Sequence, residues 1–223
     1  MTGLFVAGTD TGIGKTAVGC VVARIWRSRG LTVGVAKPVE TGCNPDPSDA
    51  RLLAAAAEDE RAIEEICPFQ FREPLAPSVA AAREGRLIEP ARLLSSIEAA
   101  ARGRDRVLAE MAGGLLVPYA AGCDGIDLVR ESGLPALLVG RLGLGTINHT
   151  RLSVEALRAR KIRIAAIVLS AGGKDAAPPP GDVAAETNPG TLRALLPEIP
   201  VLVFPHLDPL KPPKLAGLEE IVV

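Results

Sequence analysis

The chain has 223 residues and a mass of 23.1 kDa, the size of one globular domain, so residues 1–223 are expected to form a single unit around one core. Lys and Arg total 25 against 26 Asp and Glu, a formal net charge of −1 with both histidines neutral, which argues against nucleic acid or an anionic membrane as the main partner. Apolar residues make up 48% of the chain, yet no run reaches the ~18 residues of a spanning helix.

In chain order, residues 4–7 form a short apolar run that ends at Gly8. Val18, Val21, Val22, Ile25 and Trp26 then recur at i, i+3, i+4, i+7 and i+8, the stripe of an amphipathic helix. The opening run is too short for a signal segment, lacks a basic flank and leads straight into a glycine loop. Gly30 stops the helix, and residues 31–36 form a second strand before Pro38. Ser48 is placed to cap a helix over the alanine-rich residues 49–57. Residues 67–77 read as a proline-punctuated loop, and Pro90 as the first residue of a helix carrying Leu93, Leu94, Ile97 and Ala101. Further strands are expected at 107–109, 135–139, 164–169 and 201–204, with helices near 125–131, 147–159 and 190–196. Residues 172–181, rich in Ala and Pro, read as a surface loop.

Strands alternating with helices of these lengths imply an α/β fold. Its central sheet would be mostly parallel and covered by helices on both faces, with ligands beyond the carboxyl ends of the strands. Cys20, Cys43, Cys67 and Cys123 form no CxxC or Cys/His cluster, so free thiols and a cytoplasmic location are the expectation.

The strongest local signal is Gly8-Thr9-Asp10-Thr11-Gly12-Ile13-Gly14-Lys15-Thr16, set between a strand and a helix. Such a turn points successive N–H groups inward, so Gly12, Ile13, Gly14, Lys15 and Thr16 are expected to hold nucleotide phosphates, helped by the positive end of the helix. The usual spacing would put a glycine at position 9, where Thr9 stands, and the strand and helix context supports the reading despite that shift. Lys15 can reach the terminal phosphates, and the Thr16 hydroxyl can enter a Mg2+ shell. Glu110, at the end of the strand 107–109, occupies the place of a metal-holding acid, and Asp49 or Asp10 could complete the shell. The competing readings, held below the metal-holding one, are a solvent-exposed strand end for Glu110 and an ordinary acid of a helix N-terminus for Asp49. Lys37 ends the second strand at the same sheet edge, a second cation suited to an oxyanion undergoing phosphorylation unless it is simply a surface lysine.

Together the loop 8–16, Lys37-Pro38-Val39-Glu40-Thr41-Gly42, the segment 110–118 and the segment 143–150 resemble dethiobiotin synthetase, over residues 1 to about 169. The resemblance implies a P-loop NTPase-like three-layer architecture. It also implies an ATP- and Mg2+-dependent ring closure that converts 7,8-diaminononanoate and carbon dioxide to the cyclic urea dethiobiotin, in biotin biosynthesis, releasing ADP and phosphate. An amine captures carbon dioxide as a carbamate, the carbamate oxygen attacks the γ-phosphate, and the second amine closes the ring by expelling phosphate. On this resemblance Thr11, Lys15 and Lys37 surround the carbamate and the migrating phosphoryl group. Thr16, Asp49 and Glu110 hold the metal, and Thr41 and Gly113 lie toward the diamine. The resemblance further places the diamine carboxylate at Gly145, Thr146, Ile147 and Asn148 across a two-fold homodimer interface, where glycines run into a helix N-terminus. His149 is expected to pack or cap, and His206 has no recognisable partner.

Two departures stand out. Met111 replaces the glycine usual after Glu110, so that turn must house a side chain. Ser170 stands where the family has an asparagine that reads adenine, leaving Ser170 or the backbone near Phe204 and Pro205 for the base. The proline-rich residues 208–213 match no motif. A deviant P-loop ATPase switch of the partition or division type is the competing reading. Such proteins carry a signature lysine early in the loop, where this chain has Thr or Asp, and the tail 215–223 has two Glu and no basic residue. An amidotransferase-type synthetase of cobyrinate chemistry is a further alternative, disfavoured because 223 residues leave no room for a glutaminase module with a Cys nucleophile.

Overall fold

The structure, a computed structural model, describes residues 1–171 and 178–205. Most of the loop expected at 172–181, His206, residues 208–213 and the tail 215–223 lie outside the described residues.

The elements run β1 (Gly3–Gly8), α1 (Lys15–Ser28), β2 (Val33–Ala36), β3 (Val39–Thr41), α2 (Ser48–Ala57), α3 (Ile63–Ile66), β4 (Phe69–Phe71), α4 (Pro77–Arg83) and α5 (Pro90–Ala101). Then follow β5 (Arg106–Glu110), β6 (Pro118–Ala120), β7 (Cys123–Asp124), α6 (Gly125–Ser132), β8 (Ala136–Arg141), α7 (Thr146–Ala159), β9 (Ile164–Ser170), α8 (Val183–Leu195) and β10 (Val201–Phe204). Six strands form one parallel sheet in the order β10-β9-β8-β1-β5-β2. The strands are apolar almost throughout because both faces are covered. Along β1, Leu4 and Val6 pack with Val18, Val22 and Trp26 of α1 and Leu53 of α2. Phe5 and Ala7 point to the opposite layer, with Leu93 and Ile97 of α5, Val129 of α6, Leu157 of α7 and Leu192 of α8. This is the layered α/β architecture expected from the alternation of strands and helices.

Three local expectations need correction. Residues 67–77 are not all loop, since β4 pairs in parallel with β3, Val39 facing Phe69. Three-residue strands carry too little period to be read. The last helix starts at Val183, not near 190, and runs through Pro189. Proline inside a helix removes one N–H and usually signals a stop, but Asp182 caps this helix by accepting from Ala184 N at 2.9 Å, and buried Asn188 and Leu192 tie it down. Ser48 is the first helical residue of α2 and makes no side-chain cap; Pro47 stands in the cap position.

The open edge of β2 is covered. Val35 N–H donates to Asp59 Oδ2 at 2.9 Å, Arg61 Nη2 donates to Val35 O at 2.5 Å, and Lys37 N–H donates to Ile66 O at 2.9 Å. Asp59 and Arg61 are themselves paired, Nη2 to Oδ2 at 2.6 Å.

Candidate active site

β1 and β5 both deliver residues to the carboxyl edge of the sheet, where residues 9–14 turn before α1. Gly14 precedes the helix at φ 90°, a left-handed conformation that glycine adopts without a side-chain clash. Gly145 does the same at φ 89° before α7. Ile13 is wholly buried beneath the loop and fixes it to the core. Lys15 Nζ donates to the Asp10 carbonyl at 2.6 Å. Burial, then the neighbouring Lys37, push the Lys15 ammonium down to about 8.

Glu110 closes β5 at 0% exposure, so it is not a solvent-facing strand end. Its Oε1 accepts from Thr16 Oγ1 at 2.9 Å and is ion-paired with Lys37. Lys37 is only 2% exposed, which removes the surface-lysine reading. Its Nζ also lies 3.3 Å from Asp49 Oδ2 and 3.4 Å from the Met111 carbonyl. Burial opposes the Lys37 charge, but Glu110 and Asp49 outweigh it and hold the ammonium above the ordinary lysine value.

Asp49 owes its place to a residue the sequence pattern did not single out. Glu40, on β3, accepts from Asp49 N at 3.0 Å and Ala50 N at 2.9 Å, so its buried carboxylate caps α2 in place of Ser48. Burial raises the Glu40 carboxyl. A cap nine residues upstream lies outside the local N-cap pattern, which inspects only adjacent positions.

These groups surround a cavity of about 280 Å³ whose walls include Thr11, Gly12, Gly14, Lys15, Thr16, Lys37, Thr41, Asp49 and Gly113. The expected phosphate, lysine and diamine positions therefore come together. Asp10 does not join the possible metal ligands. Its carboxylate accepts from Thr11 N at 2.7 Å and lies 3.6 Å from Arg141 Nη2. The donors available to a cation are the Thr16 hydroxyl and the carboxylates of Asp49 and Glu110, all hard oxygens of the kind Mg2+ takes. Glu110 Oε2 is buried with no hydrogen-bond partner among the described residues, an open lone pair beside them, so the residues fit the ion. Among the described residues no group of three His, Cys, Asp or Glu gathers as a metal cluster. Such an ion would therefore depend on phosphate or water oxygens for the rest of its shell.

Gly145, Ile147 and Asn148 line a separate cavity of about 570 Å³. Thr146 is buried instead, its hydroxyl 3.3 Å from that of Thr150. Between the two lies a third hollow of about 400 Å³ that shares Thr11 with the first and Leu152 with the second, with His149 on its wall. Asn188 Nδ2 donates to the carbonyls of Gly143 at 2.9 Å and Leu142 at 3.3 Å, bracing the loop before α7. Ser170 and Phe204 face each other across β9 and β10 with buried side chains, and Pro205 is exposed beyond them. The Met111 side chain is buried in the core, at 1% exposure.

The family described as AAA domain matches residues 2–214. The ATP-dependent dethiobiotin synthetase BioD of Anaeromyxobacter sp. (strain K) is 44% identical over 206 residues, covering 92% of this chain and 90% of that protein. That of Thermodesulfovibrio yellowstonii is 37% identical over 230 residues, covering 96% and 92%. Among solved structures, a ParA family ATPase from Chlorobium tepidum TLS aligns at TM-score 0.56 and 12% identity, covering 93% of this chain and 85% of that one. The MinC:MinD cell division protein complex of Aquifex aeolicus aligns at 0.54 and 11%, covering 100% and 85%. At those identities the structural likeness speaks to the fold alone.

Proposed function

The chain belongs to the dethiobiotin synthetase family, and from that premise we propose how its own residues carry the ATP-dependent ring closure of biotin biosynthesis. The observation that carries the proposal is the convergence of Thr11, Lys15, Thr16, Lys37 and Asp49 on one cavity, with Glu110 buried behind it.

In this reading the backbone of residues 12–16 cradles the phosphates of ATP. Lys15 leaves the Asp10 carbonyl for the terminal phosphates. Mg2+, when bound, supplies positive charge against the phosphates, and Thr16, Asp49 and Glu110 are the residues that would hold it. A carbamate formed on one amine of 7,8-diaminononanoate places its oxygen between Lys15 and Lys37, with Thr11 as a hydroxyl partner. That oxygen attacks the γ-phosphorus and ADP departs. The second amine then attacks the carbamoyl carbon, and inorganic phosphate leaves as the urea ring closes. Lys37 is already desolvated and charged, so it meets the developing negative charge without reorganising. Thr41 and Gly113 line the diamine side of the cavity.

The carboxylate of the diamine is assigned to the main chain around Gly145, Thr146 and Ile147, at the start of α7, and to Asn148. Their cavity lies apart from the phosphate cavity; Leu144 and Leu152 line it at 84% and 61% exposure, and Leu116, 59% exposed, lines the hollow beside it. Those apolar residues support a homodimer in which the carboxylate site is supplied across the interface. Within the proposal the adenine base is met by Ser170 or by the backbone near Phe204 and Pro205, and residues 1–223 act as a single domain. No described helix is long and apolar enough to cross a membrane; we place the reaction in the cytoplasm, with neither nucleic acid nor membrane as partner.

The test is phosphate release from ATP with Mg2+ and bicarbonate, with and without the diamine. Release should depend on the diamine, because the carbamate must be present to accept the phosphoryl group. Rapid release from ATP alone, unchanged by diamine, would overturn the mechanism.

A further inference from the structure

Val6 and Glu110 face each other in the parallel β1–β5 pair, and Met111 N–H donates to the Val6 carbonyl at 3.1 Å. Regular continuation of a parallel ladder would hand the next N–H on that side of β1, that of Gly8, to the Met111 carbonyl. The chain does otherwise. Gly8 N–H lies 3.2 Å from the Met111 sulfur, and the Met111 carbonyl lies 3.4 Å from the Lys37 ammonium. One residue thus divides two acceptors between two partners. The soft sulfur satisfies the first amide of the phosphate loop, and the stronger carbonyl dipole is left for a buried cation.

The surroundings are shaped for this division. Met111 is 1% exposed, and its terminal methyl occupies the space where Gly125, the first residue of α6, has no side chain. A Cβ at Gly125 would lie 2.7 Å from Met111 Cε. The thioether is therefore held in place from behind, with the sulfur toward Gly8.

We propose that Met111 is a positioning residue of the phosphate site. Its sulfur holds the Gly8 end of the loop and, by replacing its own carbonyl there, leaves that carbonyl to fix Lys37. It links the loop that carries the nucleotide to the lysine that meets the phosphoryl group in transit. The proposal rests on reading residues 8–16 as a nucleotide-binding loop.

The chain has two methionines, Met1 and Met111, which permits an atomic test. Norleucine in place of methionine exchanges sulfur for a methylene at Met111 with little change of shape, whereas selenomethionine retains a soft acceptor. Three forms are compared: parent, selenomethionine and norleucine. Calorimetry with a non-hydrolysable ATP analogue gives the nucleotide Kd, and steady-state assays give kcat and the diamine KM. Met111→Leu, made with ordinary methionine, isolates the effect from Met1.

The norleucine and Leu forms should bind the analogue more weakly, on the order of 3- to 10-fold, the scale of one modest hydrogen bond. They should lose kcat to a similar degree, keep the diamine KM within about twofold of the parent, and fold at parent temperature within a few degrees. The selenomethionine form should match the parent. Norleucine and Leu forms that bind and turn over like the parent would reduce Met111 to a space-filler and overturn the proposal. So would losses shared by the selenomethionine form. A parent protein that bound no nucleotide would sink the phosphate-loop reading, and the proposal with it, by a result that separates the two failures.

Discussion

Glu40 holds Asp49 by its backbone: the Oε1 atom of the first accepts the N–H of the second at 3.0 Å. The same carboxylate takes Ala50 N–H, so the first turn of α2, and with it the Asp49 carboxylate, is oriented from β3. Glu40→Ala should cost about 1–2 kcal/mol of stability, the usual worth of a helix cap. It should also raise the Mg2+ concentration for half-maximal turnover several-fold, since Asp49 loses its support. Glu40→Gln keeps one acceptor and should show about half of each effect. Denaturant melts and a Mg2+ titration of the rate give both numbers.

Lys15 and Lys37 should separate by phenotype. Lys15 lies in the loop proposed to hold the phosphates, so Lys15→Ala should weaken binding of a non-hydrolysable ATP analogue as well as turnover. Lys37→Ala should bind the analogue nearly as the parent does while losing ~10²-fold or more in kcat, because on the proposed mechanism its contacts strengthen only as the phosphoryl group moves. Calorimetry paired with steady-state rates decides it, and parent-like turnover by Lys37→Ala would remove the second cation from the mechanism.

The same substitution has a stability signature. Glu110 is fully buried and Lys37 is the cation paired with it, so Lys37→Ala strands a buried carboxylate at a cost of roughly 3–5 kcal/mol. Mg2+ restores positive charge at that carboxylate and should recover part of the loss. Melting the variant with and without Mg2+ should therefore show a larger metal-dependent rise than the parent shows. Equal rises in the two proteins would place the ion elsewhere.

Asp59 supplies a pH dependence. Burial alone would raise its carboxyl, but the Arg61 guanidinium and the Val35 N–H outweigh it and hold the group below the usual aspartate range. A depressed carboxyl stabilises the fold fully above the unfolded value of about 3.9 and loses that contribution as pH falls through the lower folded value. Asp59→Ala should be less stable than the parent by about 2–3 kcal/mol at pH 7, with its buried partners left unpaired. The gap should narrow as the pH drops below about 4. Urea melts at pH 7 and pH 3.5 measure it.

Nucleotide choice should be loose. Ser170 is buried in the β9–β10 pair and offers no paired donor and acceptor such as an amide has. One hydrogen bond to a base is worth only ~1–3 kcal/mol, so kcat/KM for ATP should exceed that for GTP or CTP by no more than about 150-fold. A preference above a thousandfold would show that another element reads the ring.

What could be read from residues alone was whatever lies close in sequence or repeats with a period. The loop 8–16 is contiguous, and Lys37 and Glu110 each end a run of apolar residues, so their place at the sheet edge followed from strand direction. Long-range substitution of one group for another was not legible. Glu40 capping a helix from β3, Asn188 bracing the carbonyls of Leu142 and Gly143, and the Met111 sulfur taking a backbone N–H all join residues that no local pattern connects. The start of α8 was missed for a different reason. Pro189 outweighs its neighbours in any propensity reading, while the buried contacts that hold the helix across it come from elsewhere in the fold.

Asp59 and Arg61 do more than stabilise β2. A bare edge strand is a template onto which another chain can add its own strand, the first step of uncontrolled β-aggregation. Here the outward N–H and carbonyl of Val35 are occupied by two charged side chains, and the outward N–H of Lys37 by Ile66. A second molecule would have to strip a buried ion pair before it could extend the sheet past β2. That margin therefore cannot serve as a seam between copies, and a variant that lost Asp59 should gain a tendency to form β-rich aggregates on warming, even where its folded form still binds nucleotide.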